Sequence, residues 1–181
     1  MSLHTPARGA LVLDVGCGTG AQLQLYRPLG CRLAGIDASP AMAAEAARKL
    51  GGSAVIQVGD GANLPYADAT VDLVLMSMML HALPPATREP VLKEAARVLR
   101  DEGRILVLDY HPGPRAGVWS RATGLGIDLI ERLAGGDHAA SYRQFMSVGG
   151  VPPLAARLGL CAVSTTVLKG GSLGLYLLRA R

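Results

Sequence analysis

Aromatic side chains are scarce in this chain: one Phe, one Trp and five Tyr among 181 residues. Surfaces that stack nucleic-acid bases interleave aromatics with basic residues. Here the basic side is almost all Arg, scattered singly, so the net charge of +4 marks no nucleic-acid face. Cysteine is equally thin. Cys17, Cys31 and Cys161 are an odd set without C-x-x-C spacing, which argues against a disulfide framework or a zinc knuckle; they read as small apolar thiols, and no metal site is expected. Long apolar runs are missing too. The longest, Val71 to Leu83, carries Asp72 and His81 and is too short to cross a bilayer, so no stable membrane insertion is expected. Met1 to Ala10 is short, polar and broken by Pro6, unlike a signal peptide, and the expected location is cytoplasmic.

What remains is half hydrophobic and 18% charged, enough apolar mass for one domain with a real core. Strand and helix signals alternate along it, the pattern of an α/β fold with a parallel sheet. Strands are expected at Leu11–Val15, Cys31–Ile36, Ala54–Val58, Val71–Ser77 and Arg104–Leu108, the last entered through a turn at Asp101-Glu102-Gly103. Helices are expected at Ala21–Leu29, at Ala41–Leu50 behind the Ser39-Pro40 cap, and at Pro85–Arg100 with its first turn near Pro90. Further on, the spacing predicts helices over Val118–Leu133 and Pro152–Leu158. Two strands then follow, Leu160–Leu168 and Ser172–Leu178, joined by a hairpin-like turn at Lys169-Gly170-Gly171.

The stretch Leu11 to Gly20, LVLDVGCGTG, organises the rest. A buried strand ends near an acid, Asp14, and runs into Gly16, Gly18 and Gly20, glycines that let a ligand approach the backbone closely. A buried carboxylate there needs a polar partner. Gly16, Gly18 and Ala21 fit the relaxed dinucleotide pattern G-x-G-x-x-G/A, while Asp14 with the three glycines fits D-x-G-x-G-x-G; the turn alone does not choose. Asp37, about twenty residues on at the end of the second strand, suits the two hydroxyls of a ribose under either pattern.

LVLDVGCGTG resembles the first motif of class I S-adenosylmethionine-dependent methyltransferases, and three further stretches are similar to that family. Asp37-Ala38-Ser39-Pro40-Ala41-Met42 matches D-x-S-x-x-M. VGDGANLPYADATVDLVLMS, Val58 to Ser77, resembles G-D-A-x-x-L-P-F followed by F-D, with Gly61 in place of Ala and Tyr66 and Val71 in place of Phe. RVLRDEGRIL, Arg97 to Leu106, resembles R-V-L-K-P-G-G-x-L without its Pro-Gly-Gly. The resemblance implies a doubly wound, Rossmann-like seven-stranded sheet, mostly parallel with an antiparallel last strand. It also implies S-adenosylmethionine as cofactor, with S-adenosylhomocysteine as product. The cofactor residues it implies are Asp14, Gly16, Cys17, Gly18 and Gly20 along the methionine part, Asp37 and Ala38 at the ribose, Met42, Asp60 and Gly61 at adenine, and Ser77 at the end of the fourth strand. The end of the chain, Leu154 to Arg179, is similar in spacing to the quinone-biosynthesis branch.

One domain is expected over 1–181, with a cofactor half at 9–110, a lid or acceptor-side insertion at 111–150, and a closing helix with two strands at 151–181. Family members carry helices before the first motif, and here the first strand starts about ten residues in. The site is therefore expected to be open, covered by the 111–150 segment, or completed by a second subunit in a homodimer. His81 and His111 follow the fourth and fifth strands, where a base would suit an oxygen or carbon acceptor; His138 and Tyr142 are weaker candidates. Met76, Met78, Met79, Leu80, Tyr110, Trp119, Phe145 and Met146 suggest an apolar acceptor pocket. The expected activity is methyl transfer to a small, mainly apolar molecule. The alternatives are a non-catalytic S-adenosylmethionine-binding protein and an NAD-dependent oxidoreductase, although no Tyr-x-x-x-Lys is evident.

Overall fold

Five apolar segments that each end near a polar residue become the parallel strands β1 to β5 in the computed structural model, which describes residues 5–113 and 136–180. They are β1 (Leu11–Val15), β2 (Arg32–Asp37), β3 (Ala54–Val58), β4 (Val71–Ser77) and β5 (Leu99–Tyr110). Two more follow, β6 (Leu160–Leu168) and β7 (Leu173–Ala180), giving one sheet in the order β3-β2-β1-β4-β5-β7-β6. Strand β7 is antiparallel to both its neighbours, and the other pairs are parallel. This is the doubly wound α/β sheet with an antiparallel last strand expected from the sequence.

Helices α1 (Ala21–Tyr26) and α2 (Pro40–Leu50) pack on one face, and α3 (Pro85–Val98), α4 (Gly136–Ser147) and α5 (Val151–Arg157) on the other. Side chains alternate across each strand, so neighbours in sequence serve different cores. Val12, Leu33, Leu73, Leu75 and Leu106 meet Leu23 and Tyr26 of α1 and Ala46 and Leu50 of α2. Leu13, Ile36, Val74, Met76 and Ile105 meet Val91, Leu92 and Ala95 of α3 and Tyr142 and Phe145 of α4. Each strand of the centre is thus buried on both sides, which is why it reads as an apolar run rather than as an alternation.

Several expected boundaries shift. The first helix closes at Tyr26, and Arg27–Leu29 is a short 3₁₀ turn around Pro28. Helix α3 ends at Val98, and Pro90 lies inside it rather than at its first turn. The expected turn at Asp101-Glu102-Gly103 is a bulge within β5: Val71 pairs with Leu99 while Leu73 pairs with Arg104, so the intervening residues are pushed out of register. The β6–β7 connection lies where expected, at Lys169–Gly171, and is a 3₁₀ turn with Gly170 at φ 63°. Helix α4 has no counterpart in the sequence reading, where Gly135-Gly136 marks an end. The expected helix over 118–133 lies outside the described residues. Among the described residues no helix is long and apolar enough to cross a membrane.

Candidate functional site

Strands β2 and β3 lie to one side of β1 and strands β4 and β5 to the other, so the loops leaving β1 and β4 diverge and open a crevice at their carboxyl ends. A cavity of about 320 Å³ lies there, and it gathers Gly16, Asp37, Ala38, Asp60, Gly61 and Ser77. Met78, Met79 and Leu83 complete its wall from the loop after β4.

Backbone donors fix the glycine turn. The N–H groups of Gly16 and Cys17 both donate to the Ile36 carbonyl, at 2.8 and 3.1 Å, and Gly18 N–H donates to Asp37 Oδ2 at 2.7 Å. Asp37 Oδ1 accepts Ser39 N–H at 2.9 Å, so one carboxylate ties the turn after β1 to the start of α2. A carboxylate has about four acceptor positions, which leaves Asp37 capacity toward the cavity. Ser39 in turn caps α2 by accepting Met42 N–H at 3.4 Å.

Asp14, next to last in β1, is 1% exposed, and among the described residues neither of its oxygens meets a donor. Burial, with Asp37's charge adding to it, pushes its pKa up to about 8. Such a carboxyl fits a cationic or strongly donating group, and the amino group of S-adenosylmethionine is one. Asp60 Oδ1 accepts Ala62 N–H at 2.9 Å, folding its loop so that Asp60 and Gly61 face the cavity. A Cβ at Gly61 would come within 2.8 Å of Val15 Cγ1, which accounts for Gly where the related pattern has Ala.

Five expected cofactor residues are not among those lining the cavity: Asp14 and Gly18, described above, and Cys17, Gly20 and Met42. Cys17 contributes its backbone N–H, while its thiol packs inward; burial, with Asp14 and Asp37 adding, raises its pKa to about 12. Gly20 starts α1 against Leu50. Met42 is 44% exposed on α2.

His81 and His111 are placed elsewhere as well. His81 is buried, its Nδ1 lies 2.7 Å from Asp109 Oδ1, and its ring meets those of Tyr110, His138, Tyr142 and Phe145 edge-on. Asp109, fully buried, also accepts the N–H groups of Leu80, His81 and Tyr110. His111 Nδ1 lies 2.7 Å from the Tyr176 hydroxyl. Neither histidine lines the cavity. The expected apolar acceptor lining divides in the same way: Met76, Leu80, Tyr110 and Phe145 are core, Met78 and Met79 wall the cavity, Met146 packs half-buried on the core, and Trp119 lies outside the described residues.

Two residues absent from the sequence reading hold the cavity wall in place. Arg88, 3% exposed, donates to the carbonyls of Leu80, Leu83 and Ser141 and to the Gln144 side chain, and its guanidinium lies 5.2 Å from the Phe145 ring centre. Together with Asp109 it binds both edges of the loop after β4 and fastens α4 to it. The signal was present: Arg88 shares the buried stripe of Val91, Leu92 and Ala95, and an Arg in an apolar stripe needs acceptors. Farther along α3, Arg97 donates to the Leu64 and Tyr66 carbonyls and Glu94 accepts Leu64 N–H, which holds the loop after β3.

Comparison with known proteins gives a consistent picture. A family model described as a methyltransferase domain matches residues 13–107. The chain is 30% identical over 164 residues to nocamycin O-methyltransferase of Saccharothrix syringae, covering 86% of this chain and 58% of that protein. It is 31% identical over 126 residues to demethylmenaquinone methyltransferase of Thermobifida fusca, covering 65% and 52%. The chain therefore spans little more than half the length of these relatives. In fold it is similar to an S-adenosylmethionine-dependent methyltransferase from Aquifex aeolicus, with a TM-score of 0.69 at 19% identity over 96% of this chain and 84% of that one. It is likewise similar to the PH0226 protein of Pyrococcus horikoshii, with a TM-score of 0.72 at 21% identity over 98% and 84%.

Proposed function

This chain belongs to the class I S-adenosylmethionine-dependent methyltransferases, and we propose that it methylates a small, mainly apolar acceptor. The observation that carries the reading is the cavity that collects Gly16, Asp37 and Asp60, with Asp14 buried just behind its lining residues Val15 and Gly16 and without a donor among the described residues. S-adenosylmethionine supplies, when bound, a methyl group already activated on a sulfonium.

The chain's own part is to hold and orient. Asp14 receives the amino group, with the Gly16–Gly20 turn along the methionine part. Asp37 accepts the ribose hydroxyls while keeping the turn fixed through Gly18. Asp60 accepts from the adenine amino group, and Gly61 lets the ring lie close to Val15. Placement of this kind removes the entropic part of the barrier, which is where most of the help to a displacement comes from. His81 acts in this reading through Asp109 on the loop carrying Met78 and Met79, since its ring is turned into the core rather than toward the cavity.

The acceptor class is supported by the apolar side chains around the end of β4, Met78 and Met79 in the cofactor cavity and Leu75 and Met76 in the one beside it, with no Arg or Lys among the described residues lining either cavity. Isothermal titration with S-adenosylhomocysteine tests the cofactor assignment. Acceptor-dependent release of S-adenosylhomocysteine from S-adenosylmethionine, across a panel of neutral and phosphorylated compounds, tests the rest. Binding without turnover on any acceptor would point instead to a non-catalytic binding protein.

A further inference from the structure

The face of the sheet away from His81 carries a second cavity, of about 210 Å³, where α1 stands off from β4, β5 and β7. Its walls are mainly apolar: Leu25 from α1, Leu106 and Leu108 from β5 and Leu175 from β7 contribute beside Tyr26, whose buried hydroxyl has no partner among the described residues, and no charged side chain is among the described residues that line it. One end is polar. There the Gln22 amide donates to Ser77 Oγ at 3.1 Å. Ser77 also lines the cofactor cavity, so this polar pair stands at the wall the two cavities share.

We propose that this second cavity is the acceptor site, and that it takes a neutral aromatic alcohol with the hydroxyl directed to the Gln22–Ser77 pair. The proposal rests on the methyltransferase reading above and adds to it the place, the polarity and the size of the acceptor. Three observations converge. A charged acceptor would lose its hydration here with no counter-charge to replace it, which excludes phosphates and amines. A polar atom can enter only where it finds a partner, and the Gln22 amide and Ser77 hydroxyl between them donate and accept. The same end adjoins the cofactor cavity, so the orientation that satisfies the hydroxyl also brings it closest to the cofactor. Size sets the last limit. The cavity is smaller than the roughly 300 Å³ at which pockets for drug-sized ligands begin, so a molecule of one or two fused rings fills it. Leu25, 56% exposed, stands at its rim and offers the way in.

The test uses 1-naphthol and its anionic analogue 1-naphthyl phosphate, titrated into the protein saturated with S-adenosylhomocysteine and into the protein alone, with naphthol fluorescence as the readout. Naphthol should bind saturably and naphthyl phosphate at least tenfold more weakly. Leu175→Trp, which fills the cavity, should weaken naphthol at least tenfold while the S-adenosylhomocysteine dissociation constant stays within twofold. Leu25→Glu places a charge at the exposed rim without disturbing the core, and should weaken naphthol at least fivefold. That second variant decides the matter if Leu175→Trp does not fold. No saturable naphthol binding, equal binding of the phosphate, or naphthol binding unchanged in the folded variants would each overturn the proposal. Absence of S-adenosylhomocysteine binding would overturn the methyltransferase reading instead, and the titration without it still tests the cavity.

Discussion

Asp37 Oδ2 accepts the Gly18 N–H at 2.7 Å, so the acid that ends the second strand holds the turn that follows the first. Asp37, proposed to grip a ribose, is thereby also part of the frame of the glycine turn. The bond within the protein and the proposed bond to a ligand can be separated by substitution.

Asp37→Ala removes both, and S-adenosylmethionine binding should weaken by about 2 kcal/mol or more, some 30-fold. Asp37→Asn keeps one carbonyl acceptor for Gly18 or Ser39 but loses the charge toward the ribose, and its loss should be smaller. Calorimetry at constant pH measures both. An unchanged dissociation constant in Asp37→Ala would place the ribose elsewhere.

Asp14 makes stability depend on pH. Its carboxyl ionises near pH 8 in the folded chain against 3.8 when free, so between those values the folded state keeps a proton that the unfolded state has lost. Stability should therefore fall as pH rises from about 4 to about 8, by up to about 1.4 kcal/mol per unit, and then level off. Asp14→Asn lacks this slope, so its melting temperature at pH 7.5 should exceed that of the parent while its cofactor binding is weaker. A melting curve series over pH 5 to 8 checks the first part. Calorimetry in two buffers of different ionisation enthalpy checks a corollary: an ammonium placed beside Asp14 should expel its proton, so binding at pH 7 should release protons.

Gly18 and Gly20 both have positive φ, 52° and 76°, but a Cβ would meet different surroundings. At Gly18 nothing lies within 4 Å, whereas at Gly20 the Cβ would come within 2.8 Å of Leu50 Cδ1. Both alanine variants carry a left-handed penalty of about 1–2 kcal/mol. Gly20→Ala should lose about a further 1–3 kcal/mol of stability from overpacking against α2. Gly18→Ala should instead lose cofactor affinity, since its new methyl occupies open space along the turn. Chemical denaturation and calorimetry on the pair should show opposite rankings.

Arg88→Met should lower stability by about 3 kcal/mol or more, because the carbonyls of Leu80, Leu83 and Ser141 lose their shared donor. For a domain of this size that corresponds to roughly 10 °C in melting temperature. The variant should also bind S-adenosylhomocysteine more weakly, since Met78, Met79 and Leu83 sit on the loop that Arg88 fastens. Gln144→Ala removes only the tie to α4 and should show a smaller fall in both measurements.

The parallel strands β1 to β3 were legible because their logic is local. Each of β1, β2 and β3 is an apolar run closed by a nearby acid or glycine, and parallel packing carries Asp14, Asp37 and Asp60 to one edge without further information. What escaped reading depends on partners distant in sequence. The Asp101-Glu102-Gly103 segment has the composition of a turn, and it is a bulge because β4 sets the register on either side of it. His81 follows β4 as a site residue would, yet Met78 takes φ 53°, and beyond it Met79 faces the cavity while Leu80 and His81 face the core. No periodicity announces such a reversal. Asp109 and Arg88 matter through bonds to backbone groups, which leave no trace in residue type at the other end. The same holds for Gln22, an ordinary helix residue until Ser77 is placed beside it.

Strand β7 lies between β5 and β6, although it comes after both. A chain emerging from the ribosome N-terminus first thus finishes β5 with one flank bare. The segment Ile105–Tyr110 waits there for a partner that is still unmade. At about 5–20 residues per second that wait lasts seconds, long enough for an apolar edge to find another nascent chain. The β6–β7 pairing is local and can form first, so the hairpin arrives as a unit and seals the flank in one docking event. Translation speed between β5 and β7, and the supply of chaperones that shield strand edges, should therefore affect the yield of soluble protein without any change in the sequence.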